Sequence, residues 1–208
     1  MYRPKAFQEN DTNKLIAFMK ANSFATLVSI VDGIPYASHI PLIVALEGDV
    51  IKLVGHLAKQ NPQWQSFKSI ESLAIFTGAH AYISPTLYEK NESVPTWNYI
   101  AVHAYGIPKI ITLERSPEAM NQMIDETIET YEANYKSHWH DLSDGFQENM
   151  MNGIIGFEMR VTRLEGKYKL SQNRSQAEQK KVSDALLRNS ESTVRAIGAE
   201  MKHNLESE

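Results

Sequence analysis

The chain has 208 residues, of which 42% are hydrophobic, 22% charged and 9% aromatic, a composition that excludes a fibrous or intrinsically disordered protein. Its 21 lysines and arginines against 25 aspartates and glutamates leave a net charge of −4. A general DNA binder neutralises phosphates with a basic excess, so any nucleic-acid contact here must rest on a local patch.

There is no cysteine, which removes disulfides and thiolate chemistry and fits a reducing, cytoplasmic setting. The most apolar stretches, Phe24 to Val31 and Ile40 to Leu46, are strand-sized, far short of the roughly 20 residues of a membrane span. The opening Met1-Tyr2-Arg3-Pro4-Lys5 lacks the apolar core of a secretory signal. No membrane partner is expected.

In chain order, Asp11 or Thr12 caps a short helix whose apolar face is Leu15, Ile16, Phe18 and Met19. Phe24 to Val31 is rich in β-branched residues and ends at Asp32-Gly33, a hairpin pair. Tyr36 to Ala45 returns as one strand, and Val50 to Gly55 follows a turn at Glu47-Gly48-Asp49. Asn61-Pro62 opens a short helix with Trp64 and Phe67 on its inner face. Leu73 to Phe76 and His80 to Ser84 are predicted strands interrupted at Thr77-Gly78, and a polar loop spans Glu89 to Ser93. Trp97 to Thr112 is extended, broken near Gly106 and Pro108.

Ser116-Pro117 then starts the clearest helix, with Met120, Met123, Ile124, Thr127, Ile128, Tyr131 and Tyr135 at helical spacing. Gly156 to Arg163 and Tyr168 to Leu170 form a predicted hairpin about Glu165-Gly166. Ser175 to Glu178 is a capping box opening a helix, Asn189-Ser190 breaks it, and Val194, Ile197 and Met201 mark a last one. The sum is mainly β with peripheral helices: one antiparallel barrel domain over residues 1–188 and a C-terminal helical extension over 189–208.

His138 and His140 invite a metal reading, since an H-x-H pair shares one face of a strand. They fall past a helix end, in a polar loop with Asp141 and Asp144, and no zinc-enzyme spacing accompanies them, so no metal is assigned. The nucleophile elbow, the phosphate loop and the dinucleotide glycine fingerprint are all missing from the sequence.

Three polar junctions carry the chemistry. His56-Leu57-Ala58-Lys59-Gln60-Asn61 joins a strand to a helix start, where free backbone N–H groups and a helix dipole would favour an anion and Lys59 adds charge. Trp97-Asn98-Tyr99, with His103 and Tyr105 beyond, offers rings and an amide to a planar heterocycle; asparagine is unusual in a strand. Lys167 to Ser175 gathers Lys169, Gln172, Asn173 and Arg174 between a strand and a helix start. Each also reads as an ordinary capped loop or packed strand. Together they suggest one small-molecule site.

Gly-His-Leu-Ala-Lys-Gln-Asn-Pro-Gln-Trp at 55–64, Ala-Tyr-Ile-Ser-Pro at 81–85, Val-Pro-Thr-Trp-Asn-Tyr at 94–99 and Lys-Leu-Ser-Gln-Asn-Arg-Ser at 169–175 closely resemble the PaiB family. So do Met1-Tyr2-Arg3-Pro4 with Phe7, and His39-Ile40-Pro41. The resemblance covers the chain to about Leu187. It implies an FMN-binding split barrel like that of pyridoxamine-phosphate oxidases, a homodimer with FMN at its interface, and a role as negative transcriptional regulator. By position it implies phosphate contact at His56, Leu57, Lys59, Gln60 and Asn61, with His39 and Ile40 beside the ribityl chain and Trp97-Asn98 near the isoalloxazine. An oxidase would show a Ser-Arg-Lys-like run where this chain has Lys59-Gln60-Asn61, so Lys169 or Arg174, of either subunit, must supply further charge.

The regulator reading has a rival. Flavin brings its own redox chemistry, so an FMN-dependent oxidoreductase needs no conspicuous catalytic residue, and a flavin sensor or store is a third option. The final helix pair turns through Asn-Ser-Glu-Ser, but its second helix carries only Arg195 and Lys202 as cations, among Glu191, Glu200 and Glu206. That is poor equipment for a DNA recognition helix.

Overall fold

The hairpin pair Asp32-Gly33 has φ of 51° and 79°, the double left-handed turn that matches the twist of two antiparallel strands. It joins β2 (Phe24–Val31) to β3 (Ile34–Pro41) with register from Phe24↔Pro41 to Val31↔Ile34. In the computed structural model, which describes residues 1–67, 70–89 and 92–207, the chain forms two units: residues 1–18, 77–102 and 165–208, and residues 19–76 and 103–164.

The larger unit holds β2, β3, β4 (Ile43–Glu47), β5 (Val50–Ala58), the first part of β6 (Ser72–Ile83), the last part of β7 (Thr96–Gly106), β8 (Pro108–Ile111) and β9 (Ile154–Arg160). β6, β2 and β3 are consecutive antiparallel neighbours, and β4, β5, β9 and β8 form a second antiparallel sheet in that order. Between β8 and β9 run α2 (Pro117–Glu132), α3 (Lys136–Asp141) and α4 (Asp144–Asn152). Met120 and Met123 of α2 and Met151 of α4 bury with Val54 and Ile111 in one apolar cluster. Pro117 sits at the first turn as expected, but Ser116 makes no side-chain cap.

The smaller unit contains β1 (Gln8–Glu9), most of α1 (residues 12–21), the remaining parts of β6 and β7, most of β10 (Arg163–Lys169), α5 (Gln176–Leu187) and α6 (Ser192–Ser207). Its strands run β1-β10-β7-β6. Asp11 Oδ1 accepts from the N–H groups of Asn13 and Lys14 and so caps α1. The Ser175–Glu178 capping box is formed. α5 and α6 pack together, and the Ser183 hydroxyl donates to the Gly198 carbonyl at 2.7 Å. Among the described residues no helix is long and apolar enough to cross a membrane.

Four local expectations are corrected. Tyr36 to Ala45 is two strands, because Leu42 donates its N–H to Ser23 O at 2.9 Å and the chain then changes partner from β2 to β5. Thr77-Gly78 does not interrupt β6, which runs unbroken through it. β9 and β10 are no hairpin about Glu165-Gly166: they belong to different sheets, and the link at Val161-Thr162 is held by Ile51 O and Tyr105 O. Gly166 instead lies inside β10 against β1, where an added Cβ would meet Leu15 Cδ2 at 2.3 Å and Glu9 O at 2.9 Å. Finally, 136–141 and 144–152 are helices rather than loop. Lys90 and Asn91 of the predicted polar loop lie outside the described residues.

Candidate functional site

In the larger unit, β5 delivers His56 and Leu57 to its end, in register with Gly156 and Ile155 of β9. Leu57 is buried and His56 half-buried; burial holds the His56 imidazole below its ordinary pKa, so it is neutral at pH 7 and brings no charge to a phosphate. The chain then turns through Lys59-Gln60-Asn61 into a single 3-10 turn, Pro62–Ser66.

This turn is fixed from several sides. The Lys59 N–H donates to Gly153 O and the Asn61 N–H to Ala58 O, both at 2.9 Å. The Trp64 indole donates to Lys59 O at 2.9 Å. Asn61 Oδ1 accepts from the Gln63 N–H at 3.0 Å, while its Nδ2 donates to Ser38 Oγ at 2.9 Å and so ties the turn to β3. The expected free N–H groups are thus engaged at Lys59, Asn61 and Gln63, and a helix of five residues has little dipole to offer. What the turn presents outward is the exposed side chains of Lys59 and Gln60.

Ser38 brings the neighbouring His39 and Ile40 to this place. His39 is exposed, its Nδ1 hydrogen-bonded to Thr26 Oγ1 at 3.0 Å, which directs the ring; Ile40 is buried. The anchor that sequence reasoning missed is Gln63. It is fully buried, donating to Leu27 O at 2.9 Å and Ser29 Oγ at 3.1 Å, and Ser29 in turn bonds Ser72 Oγ at 2.8 Å. Trp64, expected inside, is only half-buried; Phe67 is buried as expected.

In the smaller unit, strand alternation splits Trp97 from Asn98. Trp97 is 53% exposed, with His80 and Tyr82 of β6 at ring-centroid distances of 5.8 and 5.9 Å. Those two flanking rings share a face because they are two apart on a strand, a signal the sequence did carry. Asn98 is fully buried and donates to Ser171 Oγ at 2.9 Å, holding a serine whose φ is 67°. Its amide therefore shapes the Ser171 turn rather than facing solvent.

Gln172 is also used internally, accepting from the Leu170 N–H at 2.7 Å and donating to Tyr168 O at 2.6 Å. Lys169 donates to Trp97 O at 2.7 Å and to Thr96 Oγ1, while burial and the neighbouring Lys167 lower its pKa. The Arg174 guanidinium lies 3.9 Å above the Tyr88 ring, and Asn173 is exposed. An ammonium has three protons, so Lys169 keeps one after these two bonds, and the ring its Nζ lies over is that of Phe7, 6.0 Å from the centroid. An exposed indole and a lysine bonded to its backbone in this unit, and the exposed Lys59 and Gln60 side chains in the larger unit, are groups of the kind that suit a flavin ring and a phosphate.

Elsewhere, Tyr105 carries the Arg163 guanidinium 3.5 Å above its ring, with His103 as an edge neighbour. His138 and His140 are exposed on α3, and His140 pairs with Asp125 at 3.3 Å. Among the described residues no group of three or more histidines or carboxylates could hold a metal ion.

Residues 1–163 match a family model described as "Putative FMN-binding domain". The chain is 36% identical over 193 residues to "Protease synthase and sporulation protein PAI 2" of Bacillus subtilis, covering 89% of each chain. Among solved structures it resembles the flavocytochrome Anf3 of Azotobacter vinelandii at a TM-score of 0.62 and 12% identity, over 81% of this chain and 72% of that one. It also resembles the FAD and heme binding protein of Mycobacterium smegmatis at a TM-score of 0.56 and 14% identity, over 78% and 73%. At such identities these likenesses concern the fold alone: a flavin-binding split barrel.

Proposed function

The chain belongs to the PaiB family of FMN-binding proteins, and from that premise we propose that it acts as a cytoplasmic homodimer that binds FMN between its subunits and regulates through the flavin. The observation that carries the reading is the Lys59-Gln60-Asn61 turn. It is rigid by virtue of five hydrogen bonds, and it spends its amides internally while turning a lysine outward. Lys59 and Gln60 hold the phosphate, His39 and Ile40 flank the ribityl chain, and Trp97 gives the isoalloxazine a face. Lys169, with Arg174 and Asn173 nearby in sequence, supplies the charge that the oxidase-type run would have carried. Asn98, Gln172 and Leu57 act one step back, by shaping the turns and strand ends on which the others stand. Bound flavin supplies the redox chemistry.

Direct reading of DNA by α6 is disfavoured. Arg195 spends its guanidinium on Asn189 O and Ser190 O at 3.0 and 2.6 Å, and Lys202 pairs with Glu206 at 3.9 Å. These are the only lysine and arginine of that helix. The name of the Bacillus relative links it to protease synthesis and sporulation, and a regulatory output of this chain would then reach DNA by a route other than α6.

The test compares FMN with riboflavin, which lacks the phosphate. Lys59→Ala is expected to weaken FMN by about tenfold, the value of one charge-assisted hydrogen bond, and to leave riboflavin unchanged. Equal affinity of the parent and Lys59→Ala for FMN removes Lys59 from the phosphate site. A monomer by sedimentation in the presence of FMN removes the dimer.

A further inference from the structure

Helix α2 has more apolar surface than its sheet requires. Met120 and Met123 face the cluster with Val54 and Ile111, yet Ile124, Thr127 and Ile128 form a second apolar stripe one step around the helix. That stripe lines an open apolar pocket of about 360 Å³ together with Tyr135, Trp139, Met150 and Ile154. The walls are braced. Gln147 of α4 donates to Trp139 O and Leu142 O, each at 2.9 Å, holding α3 against α4. The Thr127 hydroxyl donates back to Met123 O at 2.7 Å, so that residue offers the pocket little polarity.

We propose that α2, α3 and α4 form an open binding site for an uncharged, largely apolar small molecule. The lining contains no lysine, arginine, aspartate or glutamate, so an ionised group that gave up water against these walls would find no charged partner. Water is held poorly by such walls: it needs two to four polar partners, whereas apolar cavities of roughly 150 Å³ take up benzene. The volume, about 360 Å³, lies at the lower end of the range for small-molecule sites, roughly 300–1,000 Å³. Aromatic rings and methionine thioethers are adaptable contacts for flat or branched hydrocarbon.

The full-length protein is titrated with N-phenyl-1-naphthylamine, a neutral aromatic dye that fluoresces in apolar surroundings. Two variants are compared with it: Ile128→Trp, which fills the space, and Met150→Lys, which sets a charge at a wall residue 45% exposed and so compatible with folding. Saturable binding by the parent, weakened about tenfold or more in both variants while Met150→Lys keeps its melting temperature, upholds the site. Dye uptake that does not saturate, or that is unchanged in both variants, overturns it. So does displacement of the dye by stoichiometric FMN with no effect of either substitution, which would place the dye in the flavin site. Should Met150→Lys abolish self-association seen by sedimentation in the parent, the face is a contact between copies and the small-molecule site is refuted. A protein that binds dye at this pocket but no FMN upholds the pocket while the cofactor assignment fails.

Discussion

The backbone N–H of Lys59 donates to the carbonyl of Gly153 at 2.9 Å, and the next residue, Ile154, pairs with Ala58 across β5 and β9. Gly153 closes α4 by donating to Met150 O, while Ile154 and Met150 line the apolar pocket. The turn assigned to the flavin phosphate and the wall of the pocket therefore share one peptide hydrogen bond. A ligand that shifts the end of α4 must move the Lys59 turn or break that bond.

Linkage makes this reciprocal. Saturating N-phenyl-1-naphthylamine is expected to change FMN affinity by about fivefold, the low end of ordinary couplings, and FMN to change dye affinity by the same factor. Calorimetric titration of each ligand in the presence of the other checks both. Equal FMN affinity with and without bound dye means the Gly153–Lys59 bond transmits nothing.

Trp97 and Lys59 should fail in different ways. In the proposed site Lys59 is assigned to the phosphate alone, whereas Trp97, exposed and flanked by His80 and Tyr82, is assigned to the ring. Trp97→Ala is expected to weaken FMN and riboflavin alike, by about 1–3 kcal/mol, the usual worth of stacking a heterocycle on an aromatic side chain. Titration of both ligands by flavin fluorescence reads the pattern. A loss confined to FMN would take Trp97 away from the ring.

His56 is expected to add to the acid sensitivity of the fold. Burial depresses its pKa in the folded state below the ordinary 6.5, so the unfolded chain binds a proton first as pH falls. The sign follows: folding stability attributable to this group is intact above about pH 6.5 and is lost as pH drops toward the folded pKa, with a slope of at most about 1.4 kcal/mol per pH unit. Urea midpoints at about pH 7.5, 6.5 and 5.5 should fall for the parent and flatten for His56→Gln. Parallel curves would assign the acid sensitivity to other groups.

Much of this was legible because local chemistry agreed with the fold. The Asp32-Gly33 hairpin, the Ser175–Glu178 capping box and the long α2 are each specified by a few adjacent residues, and each formed. What could not be read was long-range. Leu42 ends β3 because Ser23 claims its amide, and nothing near Leu42 announces that partner. Asn98 looked like a ligand contact for its type, yet strand alternation turned it inward to Ser171. Gln63, the buried anchor of the Lys59-Gln60-Asn61 turn, is indistinguishable in sequence from any surface glutamine after a proline; its partners, Leu27 and Ser29 on β2 and Tyr36 on β3, lie 27 residues or more away.

Glycine shows the same ambiguity, and it can be measured. Gly166 follows a glutamate and resembles a turn, but it sits within β10 because β1 and α1 approach too closely for a side chain. Gly166→Ala would place a Cβ 2.3 Å from Leu15 Cδ2 and 2.9 Å from the Glu9 carbonyl; the leucine can rotate, but the backbone oxygen cannot withdraw without parting β1 from β10. The expected penalty is about 1–3 kcal/mol, the usual range for overpacking. Gly145 is the opposite case, in the first turn of α4 with nothing within 4 Å of an added Cβ. Gly145→Ala should stabilise, by up to about 1 kcal/mol, since alanine restricts the unfolded chain more than glycine does. Denaturant unfolding of the two variants beside the parent separates them by sign. If Gly166→Ala unfolds at the parent's midpoint, the close approach of β1 to β10 is wrong.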